Sequence, residues 1–195
     1  ERGVFAIILE KSRALLKDRM PSGFRGCAGR MLTGPAEHTP EIADAGVDLV
    51  IGHHQHVAQG VQAVDRKLIF YGLGNFLHLG TQDMSRFGMC RDYGLLGRVH
   101  LASAADGRLA AQAIEVVPLT GMHARTVPMR AAEASMRVHV LNHLARGLDH
   151  GASQARGVRF TPQPDGSGLA CLPGAELQPG RIGALCRGWR EPDSP

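Results

Sequence analysis

An α/β fold is what this 195-residue chain predicts, and three observations predict it. Two apolar runs, Leu49-Val50-Ile51 and Leu68-Ile69-Phe70-Tyr71, each stop at a glycine; their β-branched and aromatic side chains suit a pleated, buried surface. An Asp-Gly pair at 106–107 divides two longer extended stretches, 94–102 and 109–119, which reads as a β-hairpin. Residues 130–148 carry apolar side chains at helical spacing.

Composition sets the bounds. A chain of this length with 44% hydrophobic residues can bury a sizeable core, whereas 25 glycines and 11 prolines assign much of it to loops and tight turns. The net charge of +4 favours anionic partners. Its basic residues are scattered and not interleaved with aromatics, so no nucleic-acid partner is expected. No apolar run approaches the roughly 20 residues that cross a bilayer, so no transmembrane segment is expected. The four cysteines, Cys27, Cys90, Cys171 and Cys186, lack Cys-x-x-Cys spacing and read as free thiols; only Cys171 and Cys186 are near enough for a local bridge.

In chain order, the apolar run 4–9 is a strand or the start of a helix continuing to Arg19, which Met20-Pro21 ends. Residues 22–36 read as glycine-rich loop. Thr39 and Pro40 cap and open a short helix over 41–45, with Gly46 closing it. A strand over 47–51 follows directly. It runs into Gly52-His53-His54-Gln55-His56, three imidazoles within four positions. In an extended segment alternate side chains share a side, so His54 and His56 face one way and His53 the other. Two imidazoles converging at a strand end can share a metal ion.

Residues 57–64 are half apolar and lead through a polar turn to the strand at 68–71. A second glycine-rich bend, Gly72-Leu73-Gly74-Asn75-Phe76, follows it. If the two strands are neighbours, both loops lie at one sheet edge, where α/β proteins bind ligands. On the helix, Met136, Val140, Leu141, Leu144 and Leu148 are expected on one face, and Glu133 with Arg137 makes a favourable i,i+4 pair. His139 and His143 are also four apart, but Val140 stands where a zinc-protease motif carries its glutamate, so they read as a solvated face. Beyond Gly151 the composition shifts to glycine, proline and polar residues, expected to be an extended wrapping segment or a partly disordered tail.

Two stretches, Ala45 to Val61 (Ala-Gly-Val-Asp-Leu-Val-Ile-Gly-His-His-Gln-His-Val-Ala-Gln-Gly-Val) and Leu68 to Phe76 (Leu-Ile-Phe-Tyr-Gly-Leu-Gly-Asn-Phe), resemble the bacterial capsule-synthesis CapA family of poly-gamma-glutamate biosynthesis. That family has a Gly-His-His-Pro-His loop and an Ile-x-Tyr-Ser-Leu-Gly-Asn-Phe stretch in the same order. The hairpin ending Val116-Val117-Pro118 resembles the close of the family's domain, so the resemblance covers roughly 37–119. It implies a two-sheet αββα sandwich similar to calcineurin-like metallophosphoesterases. By the same resemblance His54 and His56 are ligands of a divalent metal (Mn, Fe or Zn), with His53 and Asn75 as catalytic-site groups. Gln55 and Gly72 replace the family's proline and serine, changes of loop shape more than of ligand chemistry.

The superfamily's upstream Asp-x-His, Gly-Asp and Gly-Asn-His motifs are not in this sequence. The resemblance therefore implies a C-terminal portion: 1–36 diverged or truncated, 37–150 the CapA-like part, and 151–195 a Gly/Pro-rich tail. Two functions follow from it. One is a metal-dependent hydrolase or transferase component acting on an anionic polymer or phosphorylated substrate; the other is a non-catalytic domain that binds such a polymer or a capsule-synthesis protein.

Overall fold

The structure, a computed structural model, describes residues 6–9, 48–52, 56–65, 67–79, 93–104, 106–149 and 155–192. Among these residues the chain forms two β-sheets. The first runs β1 (Ala6–Leu9), β2 (Leu49–Gly52), β4 (Lys67–Phe70), β3 (Val61–Val64) and β8 (Ala155–Gly157) in spatial order. β1, β2 and β4 are mutually parallel, and β3 and β8 are added antiparallel. Of the run at 4–9, left open between strand and helix, Ala6–Leu9 is a strand. The helices expected over 10–19 and 41–45 lie outside the described residues.

The second sheet is antiparallel. β5 (Gly94–Ser103) and β6 (Leu109–Thr120) form the expected hairpin, followed across the sheet by β10 (Gly168–Cys171) and β9 (Thr161–Pro162), with β7 (Val127–Pro128) pairing the far end of β6. The Asp-Gly signal works as predicted: Gly107 takes φ 76° and the Asp106 carboxylate accepts from the Arg108 amide. A bulge at His100/Leu101 leaves Gln112 outside the β5 pairing, and its carbonyl accepts instead from the Leu172 amide at 2.7 Å.

The sheets face each other across one core. Leu68 and Phe70 from the first meet Leu95, Ile114 and Val116 from the second, and each fully buried aliphatic or aromatic side chain contributes roughly 1.5–3 kcal/mol. This is the α/β two-sheet sandwich the sequence predicts, compatible with a metallophosphoesterase-like fold. Helix α1 (Ala131–Arg146) packs against strands of both sheets. Its buried face is set by Ala134, Val138, Leu141, Ala145 and Leu148, joined by Val140 and Leu144. Met136 was expected there and is instead 58% exposed. The reason is angular: two residues from both Ala134 and Val138, it points about 200° away from that row. Glu133 and Arg137 pair as predicted, 3.6 Å apart. On the buried face Asn142 brackets the Phe160 backbone, donating to its carbonyl and accepting from its amide.

Residues 155–192 contain the strands β8, β9 and β10 and a helix α2 (Gly180–Cys186), where the sequence offered no strand motif. α2 lies on the outer face of the second sheet. Strand alternation explains the split: Ile114, Val116 and Ala170 point into the main core, while Ala113, Leu169 and Cys171 point outward against Ala175, Ile182, Leu185 and Cys186. This satellite cluster is small, and a Cys171–Cys186 disulfide closes it. The free-thiol expectation is therefore corrected for these two residues: β10 and α2 bring their Cα atoms to 5.8 Å, within bridging range. Cys27 and Cys90 lie outside the described residues.

Candidate functional site

Parallel pairing of β2 with β4 sets the C-terminal ends of both strands side by side, Ile51 opposite Phe70. The loops that follow, through His56 and through Asn75, therefore emerge at one sheet edge, as the sequence implies. Backbone contacts hold them together: Gln59 donates to the Gly72 carbonyl at 2.9 Å, Tyr71 to the Gly60 carbonyl at 3.2 Å, and Ala58 bridges Leu73.

On its other side, the Asn75 loop is held by the start of β5. Leu95 donates to the Leu73 carbonyl at 2.8 Å and Gly74 bridges Gly94. The loop is thus threaded between two backbone segments, and the glycines make that possible. A Cβ at Gly72 would stand 2.6 Å from the Val57 carbonyl oxygen, and one at Gly94 would stand 2.0 Å from that of Asn75. The serine of the family pattern at position 72 would need this packing to open.

His56 has φ 56°, a left-handed backbone uncommon for a residue with a Cβ. The alternation argument, which assumes extended backbone, therefore does not reach His56. Its side chain is tethered instead at one atom by a hydrogen bond: Nδ1 lies 2.6 Å from Oδ1 of Asn75, a residue only 5% exposed. An amide oxygen can only accept, so Nδ1 carries the proton, and in the neutral imidazole Nε2 presents the lone pair. His78 stacks on this imidazole, with ring centroids 4.8 Å apart and planes inclined by 11°. The His78 amide donates to the Met122 carbonyl at 2.7 Å, and the Thr126 hydroxyl donates to the Phe76 carbonyl, tying the bend to the chain after β6. Phe76, Leu77 and Leu79 project into solvent beside it.

Of the residues predicted for the site, the structure brings His56 and Asn75 together; His53, His54 and Gln55 lie outside the described residues. Among the described residues no three His, Cys, Asp or Glu side chains gather as a metal set. On the helix His139 is exposed, while His143 is half-buried, and burial, reinforced by the Arg146 charge, lowers its pKa. Sequence reasoning missed His78. Its only signal was its place three residues after Asn75, since stacking has no sequence period.

Beneath the loops, a buried chain links sheet to helix: the Tyr71 hydroxyl donates to Gln62, whose amide donates to the Leu148 carbonyl, at 2.7 and 2.8 Å. Burial raises the Tyr71 pKa, so this phenol is a structural donor and not an acid at neutral pH.

Comparison with known proteins bears on this pair of loops. The profile described as "Bacterial capsule synthesis protein PGA_cap" matches residues 36–79, which include both. Over residues 36–79 the chain is similar to the PGA_cap family. The hairpin at 94–120 lies beyond that PGA_cap match. The chain is 34% identical over 89 residues to "PGA biosynthesis protein CapA" of Bacillus subtilis (strain 168), covering 46% of this chain and 20% of that protein. It is 47% identical over 36 residues to "Capsule biosynthesis protein CapA" of Bacillus anthracis, covering 18% of this chain and 9% of that protein. The aligned stretch thus spans about a fifth of the Bacillus subtilis relative at most.

In the described residues, no helix is long and apolar enough to cross a membrane.

Proposed function

We propose that this chain serves capsule-polymer biosynthesis of the poly-gamma-glutamate type, as a metal-dependent hydrolase or transferase component acting on an anionic polymer or phosphorylated substrate. One observation carries the reading: the bond from His56 Nδ1 to the buried Asn75 Oδ1. Metal-binding imidazoles characteristically donate their second ring nitrogen to an acceptor, which fixes the tautomer and aims the other nitrogen outward. His56 fits that pattern as one ligand. His54 is the second proposed ligand, His53 the substrate-side polar group, and Asn75 the group that holds the proton on Nδ1. A divalent ion (Mn, Fe or Zn), when bound, supplies Lewis-acid polarisation of a substrate oxygen. The net charge of +4 suits an anionic substrate.

A second reading has its own observation. Since no three metal-ligating side chains gather among the described residues, a non-catalytic domain that binds an anionic polymer or a capsule-synthesis protein uses the same loops without chemistry. Metal content separates the two. Purified wild type should retain a divalent ion that the His54→Ala, His56→Ala double variant loses; equal, negligible metal in both proteins would favour the second reading.

A further inference from the structure

His78 is the unassigned group in contact with the site. Its ring lies against that of His56, near-parallel at 4.8 Å between centroids, and its amide is anchored to the Met122 carbonyl. Two histidines this close invite the reading that both bind one ion, but the geometry opposes it. An imidazole lone pair lies in the plane of its ring, and stacked planes inclined by only 11° converge far beyond the roughly 2 Å of a nitrogen–metal bond. The two rings therefore cannot aim at one point while stacked.

What the stack does provide is a flat wall. His56 sits on left-handed backbone at φ 56°, and Asn75 holds it at a single atom. One hydrogen bond leaves the ring free to swing about that contact. A ring face against it removes the swing and fixes the direction of Nε2. We propose that His78 is a positioning residue that sets the ring plane of His56 through its face, without sharing the ligand His56 holds. This rests on the reading of His56 as a ligand-presenting imidazole.

The proposal separates ring shape from ring nitrogen, so the test is His78→Phe against His78→Ala, each checked for an unchanged melting temperature. The first readout needs no metal: two-bond ¹⁵N–¹H correlation spectra of the ¹⁵N-histidine-labelled chain report the His56 tautomer. Wild type and His78→Phe should show the Nδ1–H form alone, and His78→Ala a mixture. The second readout is Zn²⁺ or Mn²⁺ titration, in which His78→Phe should stay within about threefold of wild type and His78→Ala should weaken by about tenfold or more, the usual scale for groups that orient a ligand.

His78→Phe damaged as badly as His78→Ala would overturn the proposal, because the nitrogen would then matter. A His78→Ala tautomer pattern identical to wild type would overturn it too. A wild-type chain that binds neither ion, yet shows the expected tautomer pattern across the variants, upholds the positioning role and removes the metal reading instead.

Discussion

His56 Nδ1 and Asn75 Oδ1, 19 residues apart in sequence, meet at 2.6 Å and join the loop after one parallel strand to the loop after its neighbour. Everything proposed for the site depends on that junction. It exists because β2 and β4 are adjacent and in register, and because glycine lets the second loop pass between two backbones.

The clearest consequence concerns Gly94. A methyl group there would sit 2.0 Å from the Asn75 carbonyl oxygen, a backbone atom that cannot move aside without moving the loop. Gly94→Ala should cost about 1–3 kcal/mol, the scale of overpacking, and should also release Asn75 from His56. Urea unfolding measures the first effect and the His56 ¹⁵N spectrum the second; wild-type values in both would refute the packing described.

Reduction of the Cys171–Cys186 bridge tests the account of the C-terminal segment. The disulfide spans 15 residues, a loop for which chain-entropy arguments give about 3 kcal/mol. The bridge ties α2 to β10 across the satellite cluster. Cys171→Ala with Cys186→Ala should therefore lower stability by about that amount and raise amide exchange across 180–186 first. Uniform loss of protection through β2 and β4 would contradict the division into a main core and a satellite.

Acid should weaken the outer face of the second sheet. Partial burial pushes the Glu115 carboxyl up, but hydrogen bonds and charge from His100 and Arg98 outweigh this and hold its pKa below the ordinary 4.5. The folded state thus binds this proton less readily than the unfolded chain. The stabilisation is present above the ordinary carboxyl pKa and is lost as pH falls through the depressed value. Wild type should exceed Glu115→Gln in stability at pH 7 by no more than about 1 kcal/mol, the ceiling for solvent-screened pairs, and the gap should close below pH 4.5. A gap that widens on acidification would reverse the sign.

The sequence was informative where a local pattern has one physical meaning. Two apolar runs ending in glycine located β2 and β4, and Asp106-Gly107 located the hairpin, because periodicity and turn chemistry act within a few residues. The helix was legible, and so was most of its face: Val140, Leu141, Leu144 and Leu148 are buried as expected. Met136 alone of that set lies in solvent, because the burial is centred on the row through Ala134 and Val138 and which row packs inward depends on the sheet residues opposite. The strands of 155–192 were hidden for a related reason: Gly168 to Cys171 is a strand only because β6 and β9 flank it. At the site, the pairing of Asn75 with the histidine loop followed from strand adjacency. His78 depended on ring contact between loops and left no trace in spacing.

The most direct test of the central claim is a calorimetric titration of Zn²⁺ or Mn²⁺ into wild type, Asn75→Ala, His56→Ala and the double variant. If Asn75 acts by holding His56 as an Nε2 ligand, Asn75→Ala should weaken binding by about 10- to 100-fold and His56→Ala by more. The Asn75 change should then add nothing once His56 is gone. Losses that multiply independently in the double variant, or a wild type that binds neither ion, would contradict it.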